Sequence, residues 1–208
     1  MEKIMLVATG NKHKMQEIAA IFARQGLNGW QFRSLADYPD YIAPEEDGDS
    51  FSANAAIKAV AAARMSGLLT LADDSGLCVD ALDGAPGIYS ARYAGEGHDD
   101  AANRRKLLEQ MQQVPPAERG AAFVCAVALA FPDGEGDVAV WSGEGRCPGA
   151  IHHCEQGENG FGYDNLFWLY EHGCTMAEIS EEEKNSLSHR FLALEKAARL
   201  LQKLSEDE

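Results

Sequence analysis

The 208-residue chain is 46% hydrophobic and 25% charged, a balance that fits one soluble globular domain large enough to bury a substantial core. Eighteen Lys and Arg against 33 Asp and Glu leave a net charge of −15; a surface this acidic repels nucleic acid and anionic membranes, so neither is expected as a partner. No basic stretch precedes a long apolar segment near Met1, the longest apolar run (Ala121 to Phe131) is too short to cross a bilayer, and five cysteines without a CxxC pair fit reduced thiols, so a cytoplasmic location is expected.

In chain order, Ile4 to Ala8 reads as a buried strand, after which Thr9-Gly10-Asn11 turns into a segment with Met15, Ile18, Ala19 and Phe22 at helical spacing. Along Thr9-Gly10-Asn11-Lys12-His13-Lys14, backbone N–H groups at a helix start and two lysines form an anion cradle, although lysines in a first turn are also well served by solvent. The G-x-x-x-x-G-K-[ST] phosphate loop is absent. An Ala-rich helix from Phe51 to about Met65, capped by Ser50 or Ser52 and stopped by Gly67, puts Asn54 and Lys58 on one face, with the acidic loop Glu45-Glu46-Asp47-Gly48-Asp49 just before it.

The run Leu68 to Ala72 is a strand expected to end in Asp73-Asp74-Ser75-Gly76. Two adjacent carboxylates repel and resist desolvation, so such a pair calls for a cation, and an oxygen-rich Mg²⁺ site is the natural candidate, with the acidic loop as a source of further oxygens. Asp and Gly are also favoured turn residues, and spacing alone leaves a plain turn open. Leu77 to Leu82 reads as a further strand, Asp83 to Gly87 as a tight loop, and Asp99 to Gln113 as a helix ended by Pro115-Pro116. Phe123 to Phe131 and Val138 to Trp141 form a hairpin across a Pro-Asp-Gly-Glu-Gly turn.

A Gly-rich loop, Gly157 to Gly162, leads to a short strand near Leu166 to Leu169; Leu187, Phe191, Leu194, Ala198 and Leu201 then stripe a terminal helix, Ser188 to Leu204, before the acidic end Glu206-Asp207-Glu208. Early strand–helix alternation with a late antiparallel pair argues for a mixed α/β fold. Phe161-Gly162-Tyr163-Asp164 and Ser188-His189-Arg190 offer a ring to stack on and polar groups for the edge of a planar heterocycle. The same residues also suit a core Phe, a surface Asp and a helix start. Cys147, His152, His153 and Cys154 match no standard zinc-finger spacing.

Taken together and in order, the motifs resemble the inosine triphosphate pyrophosphatase family: Thr9 to Glu17, Asn54-Ala55 with Lys58-Ala59, Ala72 to Leu77, Gly84 to Tyr93, Gly160 to Asp164, and Glu183-Lys184 through Arg190. The resemblance implies a two-lobed α/β fold around an elongated mixed β-sheet with a central active-site cleft, formed by a single domain over residues 1–208, and a homodimer. It implies Mg²⁺-dependent hydrolysis of altered purine nucleoside triphosphates (dITP, ITP, XTP) to the monophosphate and pyrophosphate.

Carried over by motif, Thr9, Gly10, Asn11, Lys12, His13, Lys14 and Lys58 would hold the triphosphate. Asp74 would act as base and metal ligand, with Asp73 and Glu46 as further metal ligands, and Ser75 would contact substrate. Phe161, Gly162, Tyr163, Asp164, Lys184, His189 and Arg190 would hold the base, Asp164 accepting from N1–H and Arg190 donating to O6. In two places the chain departs from the family: Ala53 stands where Glu usually precedes Asn-Ala, which removes a polar role there, and Asn165 replaces the usual Pro, which would loosen a loop. Alternatives are a pyrophosphatase of the same fold acting on other modified nucleotides, and a nucleotide-binding sensor without turnover.

Overall fold

Seven strands and five α-helices succeed one another through residues 3–206, the part of the chain that the computed structural model describes. Asp207 and Glu208, of the acidic end noted above, lie outside the described residues. The order is β1 (Lys3–Val7), α1 (Lys12–Arg24), β2 (Trp30–Ser34), α2 (Phe51–Ser66), β3 (Leu69–Val79), α3 (Asp100–Gln110), β4 (Gly120–Pro132), β5 (Val138–Ile151), β6 (Phe167–Leu169), β7 (Cys174–Thr175), α4 (Glu181–Leu187) and α5 (His189–Glu206). The strands hydrogen-bond in the order β2-β1-β3-β4-β5-β6-β7, with β1 parallel to β2 and β3, and β6 antiparallel to β5 and β7. This is the mixed α/β class expected from the sequence. No helix among the described residues is long and apolar enough to cross a membrane.

The chain divides into two compact units. The first comprises Met1–Asp74, Cys125–Gly145 and His189–Glu208, and the second Ser75–Val124 and Arg146–Ser188. In the first, side chains alternate along each strand with period two, so each strand feeds two cores. Met5, Val7, Leu71, Cys125, Val127 and Leu129 pack with α1 and α5 residues such as Ile18, Phe22, Leu194 and Leu201. Leu6, Ala8, Ala72, Ala126, Ala128 and Ala130 pack instead with Ala55, Ala59, Ala62 and Ala63 of α2. The second core is almost all alanine, so α2 lies close on the strands. The second unit is built on its own core, Leu77, Val79, Leu107, Met111, Phe123, Leu166, Phe167 and their neighbours.

Local chemistry explains the helix ends. Asn11 caps α1, accepting from the His13 and Lys14 N–H groups, and Ser50 caps α2 through the Ala53 N–H before the helix stops at Gly67. Several expectations change. The largest change is at β3, one continuous strand running through Asp73-Asp74-Ser75-Gly76, where a strand end was expected. The two carboxylates each find cations, so the ladder has no need to break there. β2 is an edge strand whose half-buried Trp30 and Phe32 alternate with exposed Gln31 and Arg33, a signal too short to register as periodic. The terminal helix expected over Ser188 to Leu204 forms as α5, and a short helix not expected, α4, precedes it across Ser188, which is extended.

The alanine-rich contact of α2 leaves little room for a larger side chain. Ala59 is fully buried, so Ala59→Leu should overpack this interface and destabilise the protein by about 1–3 kcal/mol. The urea midpoint should fall with an unchanged m-value; an unshifted midpoint would mean that α2 stands off from the strands.

Candidate active site

Because β3 does not bend at Asp73-Asp74, these neighbours project to opposite faces, and within the first unit the two faces carry different partners. Asp73 points to the α1/α5 side with Leu71. Its Oδ2 lies 2.9 Å from Lys14 Nζ and accepts from Arg190 Nε and Nη2 at 3.4 and 3.3 Å, while Arg190 Nη1 donates to Glu17. Lys14 and Glu17 are three apart on one face of α1, which brings both to this cluster. Burial alone would raise the Asp73 carboxyl, but Lys14 and then Arg190 outweigh it and hold the group well below the usual carboxylate range. Burial would likewise lower Arg190, yet Asp73 and Glu17 fix it as a permanent cation.

Asp74 points with Ala72 toward α2. Its Oδ2 accepts from Asn54 Nδ2 at 3.3 Å and its Oδ1 lies 3.2 Å from Lys58 Nζ, which also meets Glu46 Oε2 at 2.9 Å. Asn54 and Lys58 reach one carboxylate because they are one helical turn apart. The acidic loop is tied down beside them by the Gly48 N–H, which donates to Asn54 Oδ1 at 2.9 Å. A Cβ on Gly48 would lie 2.6 Å from that oxygen and 2.8 Å from the Ala53 Cβ, so the loop approaches α2 only because this residue has no side chain. Desolvation pushes the Asp74 carboxyl up, Lys58 and Lys14 oppose this only in part, and Glu46 adds to it. Lys58, lowered by burial, is raised overall by Asp74, Asp73 and Glu46. Two carboxylates therefore share one ammonium, and the site carries an excess of negative charge.

Thr9 Oγ1 accepts from the Asn11 N–H at 3.2 Å, Asn11 is committed to capping, and Gly10, Lys12 and His13 are exposed.

In the second unit, Lys184 Nζ sits 2.7 Å from Asp164 Oδ2 and 4.5 Å from the centroid of the Phe161 ring. Asp164 Oδ2 also accepts from the Phe161 N–H at 2.9 Å. A Cβ on Gly160 would fall 2.1 Å from that same oxygen, so the loop closes on the carboxylate only with glycine there. Tyr163 is buried and donates its hydroxyl to the Ser90 carbonyl at 2.9 Å; burial raises its pKa, which makes it an anchor of the loop. Ser75 is half-buried on β3, the first residue of this unit.

Within the first unit the expected metal-ligand set is divided. Asp73 does not join Asp74 and Glu46 in one ligand set, since it lies on the opposite strand face. His189 and Arg190, expected with Phe161, Asp164 and Lys184, belong to the first unit; both are buried, and Arg190 faces Asp73 and Glu17. Glu17 and Asn54 join the site although no role was read for either. Their spacing from Lys14 and Lys58 was the available signal.

Comparison with known proteins bears directly on this arrangement. A family model described as the Ham1 family matches residues 5–200. The dITP/XTP pyrophosphatase of Desulforamulus reducens is 48% identical over 200 residues, covering 96% of either chain, and that of Geobacter sulfurreducens is 50% identical, covering 91% of this chain and 92% of the relative. Among solved structures, the Ham1 protein of Staphylococcus aureus aligns with a TM-score of 0.84 at 37% identity, covering 97% of this chain and 99% of the other. A nucleoside-triphosphatase / dITP/XTP pyrophosphatase of Mycobacterium abscessus aligns at 0.74 with 44% identity, covering 95% and 99%. The motifs from Thr9 to Arg190 are thus those of a whole-length relationship, and the chain belongs to the Ham1 family.

Proposed function

We propose that this chain hydrolyses altered purine nucleoside triphosphates such as dITP, ITP and XTP to the monophosphate and pyrophosphate, with Mg²⁺ as cofactor. The observation that carries the reading is the convergence of Asp74 and Glu46 on the Lys58 ammonium. The relatives named dITP/XTP pyrophosphatase support the substrate class.

The donors fit a hard divalent cation: Asp74 and Glu46 offer only oxygen, and their shared ammonium leaves negative charge in excess. These two carboxylates would hold the ion, with phosphate oxygens and water completing its shell. When bound, Mg²⁺ would neutralise triphosphate charge and make the α-phosphorus more electrophilic. Asp74, oriented by Asn54, accepts a proton from the water that adds to the α-phosphorus as pyrophosphate leaves. Lys58 and Lys14, now engaged by carboxylates, supply the cations for the polyphosphate. Lys14 can leave Asp73 without stranding a buried carboxylate because Arg190 still pairs with it. In the second unit, Phe161 offers its face to the purine and Asp164 accepts from N1–H, which adenine lacks.

Pyrophosphate release from dITP should need a divalent metal and stop with EDTA. Asp74→Asn should lower kcat by about 10² or more, and Glu46→Gln should raise the Mg²⁺ concentration needed for half-maximal rate. Near-normal kcat in Asp74→Asn would remove it as base, and nucleotide binding without pyrophosphate release in the unaltered protein would favour a sensor.

The Arg190 placement supports a role in holding Asp73, in contrast to the O6 contact expected from sequence. Arg190→Ala removes one partner of a buried ion pair, a change that costs about 3–5 kcal/mol, and should lower Tm by roughly 6–20 °C. It should depress dITP and dATP hydrolysis by similar factors. A dITP to dATP ratio of kcat/KM that collapses in this variant would return Arg190 to base reading.

A further inference from the structure

The loop that carries Phe161 and Asp164 is held at its middle by α3, a helix to which no role has so far been assigned. Asp100 and Arg104 are one turn apart on the same face of α3. Asp100 Oδ2 accepts from the Gly162 N–H at 2.9 Å, and Arg104 Nη1 donates to the Gly162 carbonyl at 2.9 Å. One helix face therefore grips both polar groups of the residue between Phe161 and Tyr163. Gly162 has φ of +63° and no side chain with which to anchor itself, so these two bonds decide where its peptide sits.

The grip is backed from behind. Arg104 Nε lies 3.1 Å from Glu155 Oε1, and the other oxygen of that carboxylate accepts from Asn165 Nδ2 at 2.7 Å. Asn165 closes the circuit by accepting from the Gln156 N–H at 2.9 Å through its own carbonyl. The substitution of the family's usual Pro by Asn, which on sequence grounds would loosen this loop, instead supplies a donor that a proline lacks. Asp164 holds the Phe161 N–H and Tyr163 ties the loop to the Ser90 carbonyl, while Asp100 and Arg104 hold the Gly162 peptide between them.

We infer that Asp100 and Arg104, backed by Glu155 and Asn165, are positioning residues that set the Phe161–Asp164 loop for the purine. This rests on the reading of Phe161 and Asp164 as base-binding residues. Surface charge pairs contribute little to folding stability, and Glu155 is 41% exposed, so the network's effect is on geometry at the loop. Base contacts present before and during the reaction appear in KM, with kcat little changed.

The test is steady-state pyrophosphate release from dITP and dATP with Mg²⁺. Asp100→Ala and Arg104→Met should each raise KM for dITP about tenfold, leave kcat within about twofold, and narrow the dITP to dATP ratio. Asp100→Asn keeps an acceptor for the Gly162 N–H and should restore both KM and the ratio. Unchanged KM and ratio in Asp100→Ala and Arg104→Met, alongside a raised KM in Phe161→Ala and Asp164→Asn, would overturn the clamp while sparing the base-binding reading. If Phe161→Ala and Asp164→Asn also leave KM unchanged, the base-binding reading itself falls. A lowered Tm with KM unmoved in Asp100→Ala and Arg104→Met would reduce the network to a structural contact and also overturn the proposal. Should Arg104→Met fail to fold, the exposed Asp100 pair of variants decides alone.

Discussion

Two carboxylates adjacent in sequence are forced to opposite faces by an unbroken strand, and most of the first unit follows from that constraint. Had β3 turned at Asp73-Asp74, both groups would have competed for the same cations at one end of the sheet. Instead each carboxylate recruits from a different helix: Asp73 takes Lys14 of α1 and Arg190 of α5, and Asp74 takes Asn54 and Lys58 of α2. The division repeats the core, where alternate residues of the same strands pack on α1/α5 or on α2. Polar and apolar partners of the strand are thus sorted by one period-two rule.

Sorting gives the two carboxylates unlike characters. Asp73 meets two cations and is held ionised despite full burial, while Asp74 shares one ammonium with Glu46 and is pushed up by desolvation. In a chain of net charge −15, an anionic ligand is drawn in only where cations are concentrated locally. Lys14 and Lys58 are such cations, and each is kept in place by a carboxylate partner.

The elements whose signals were local were legible in the sequence. Asn11, Ser50 and Gly67 mark helix ends by hydrogen-bonding rules that operate within a few residues, and α1 and α2 form where those marks stand. The Asn54/Lys58 and Lys14/Glu17 pairings follow from helical spacing. What was misread depended on distant partners. Asp73-Asp74-Ser75-Gly76 has turn composition, and only cations from α1, α2 and α5 let it remain a strand. Arg190 sits beside His189 in a motif associated with the base, but its partners, Asp73 and Glu17, are 117 and 173 residues away in sequence. Nothing within Ser188-His189-Arg190 indicates that choice. Asn165 stands where a proline is usual, and its side chain instead donates to Glu155, ten residues earlier.

Orientation of the site carboxylates depends finally on what is absent from two loops. Asn54 can present its amide N–H to Asp74 because its carbonyl oxygen is held by the Gly48 N–H, and a Cβ at Gly48 would occupy the space of that oxygen. Asp164 can accept from both Phe161 and Lys184 because Gly160 leaves room for its Oδ2. In each case a glycine allows a backbone to approach a side chain at hydrogen-bonding distance, which restricts that side chain. Asp164 is fixed by the Phe161 backbone N–H and Asp74 by the amide of a backbone-held Asn54, and a carboxylate fixed before its ligand arrives loses less entropy on binding. Acidic and glycine-rich loop composition, which on sequence grounds looks like solvated surface, therefore serves to fix the groups that the strands and helices only bring near.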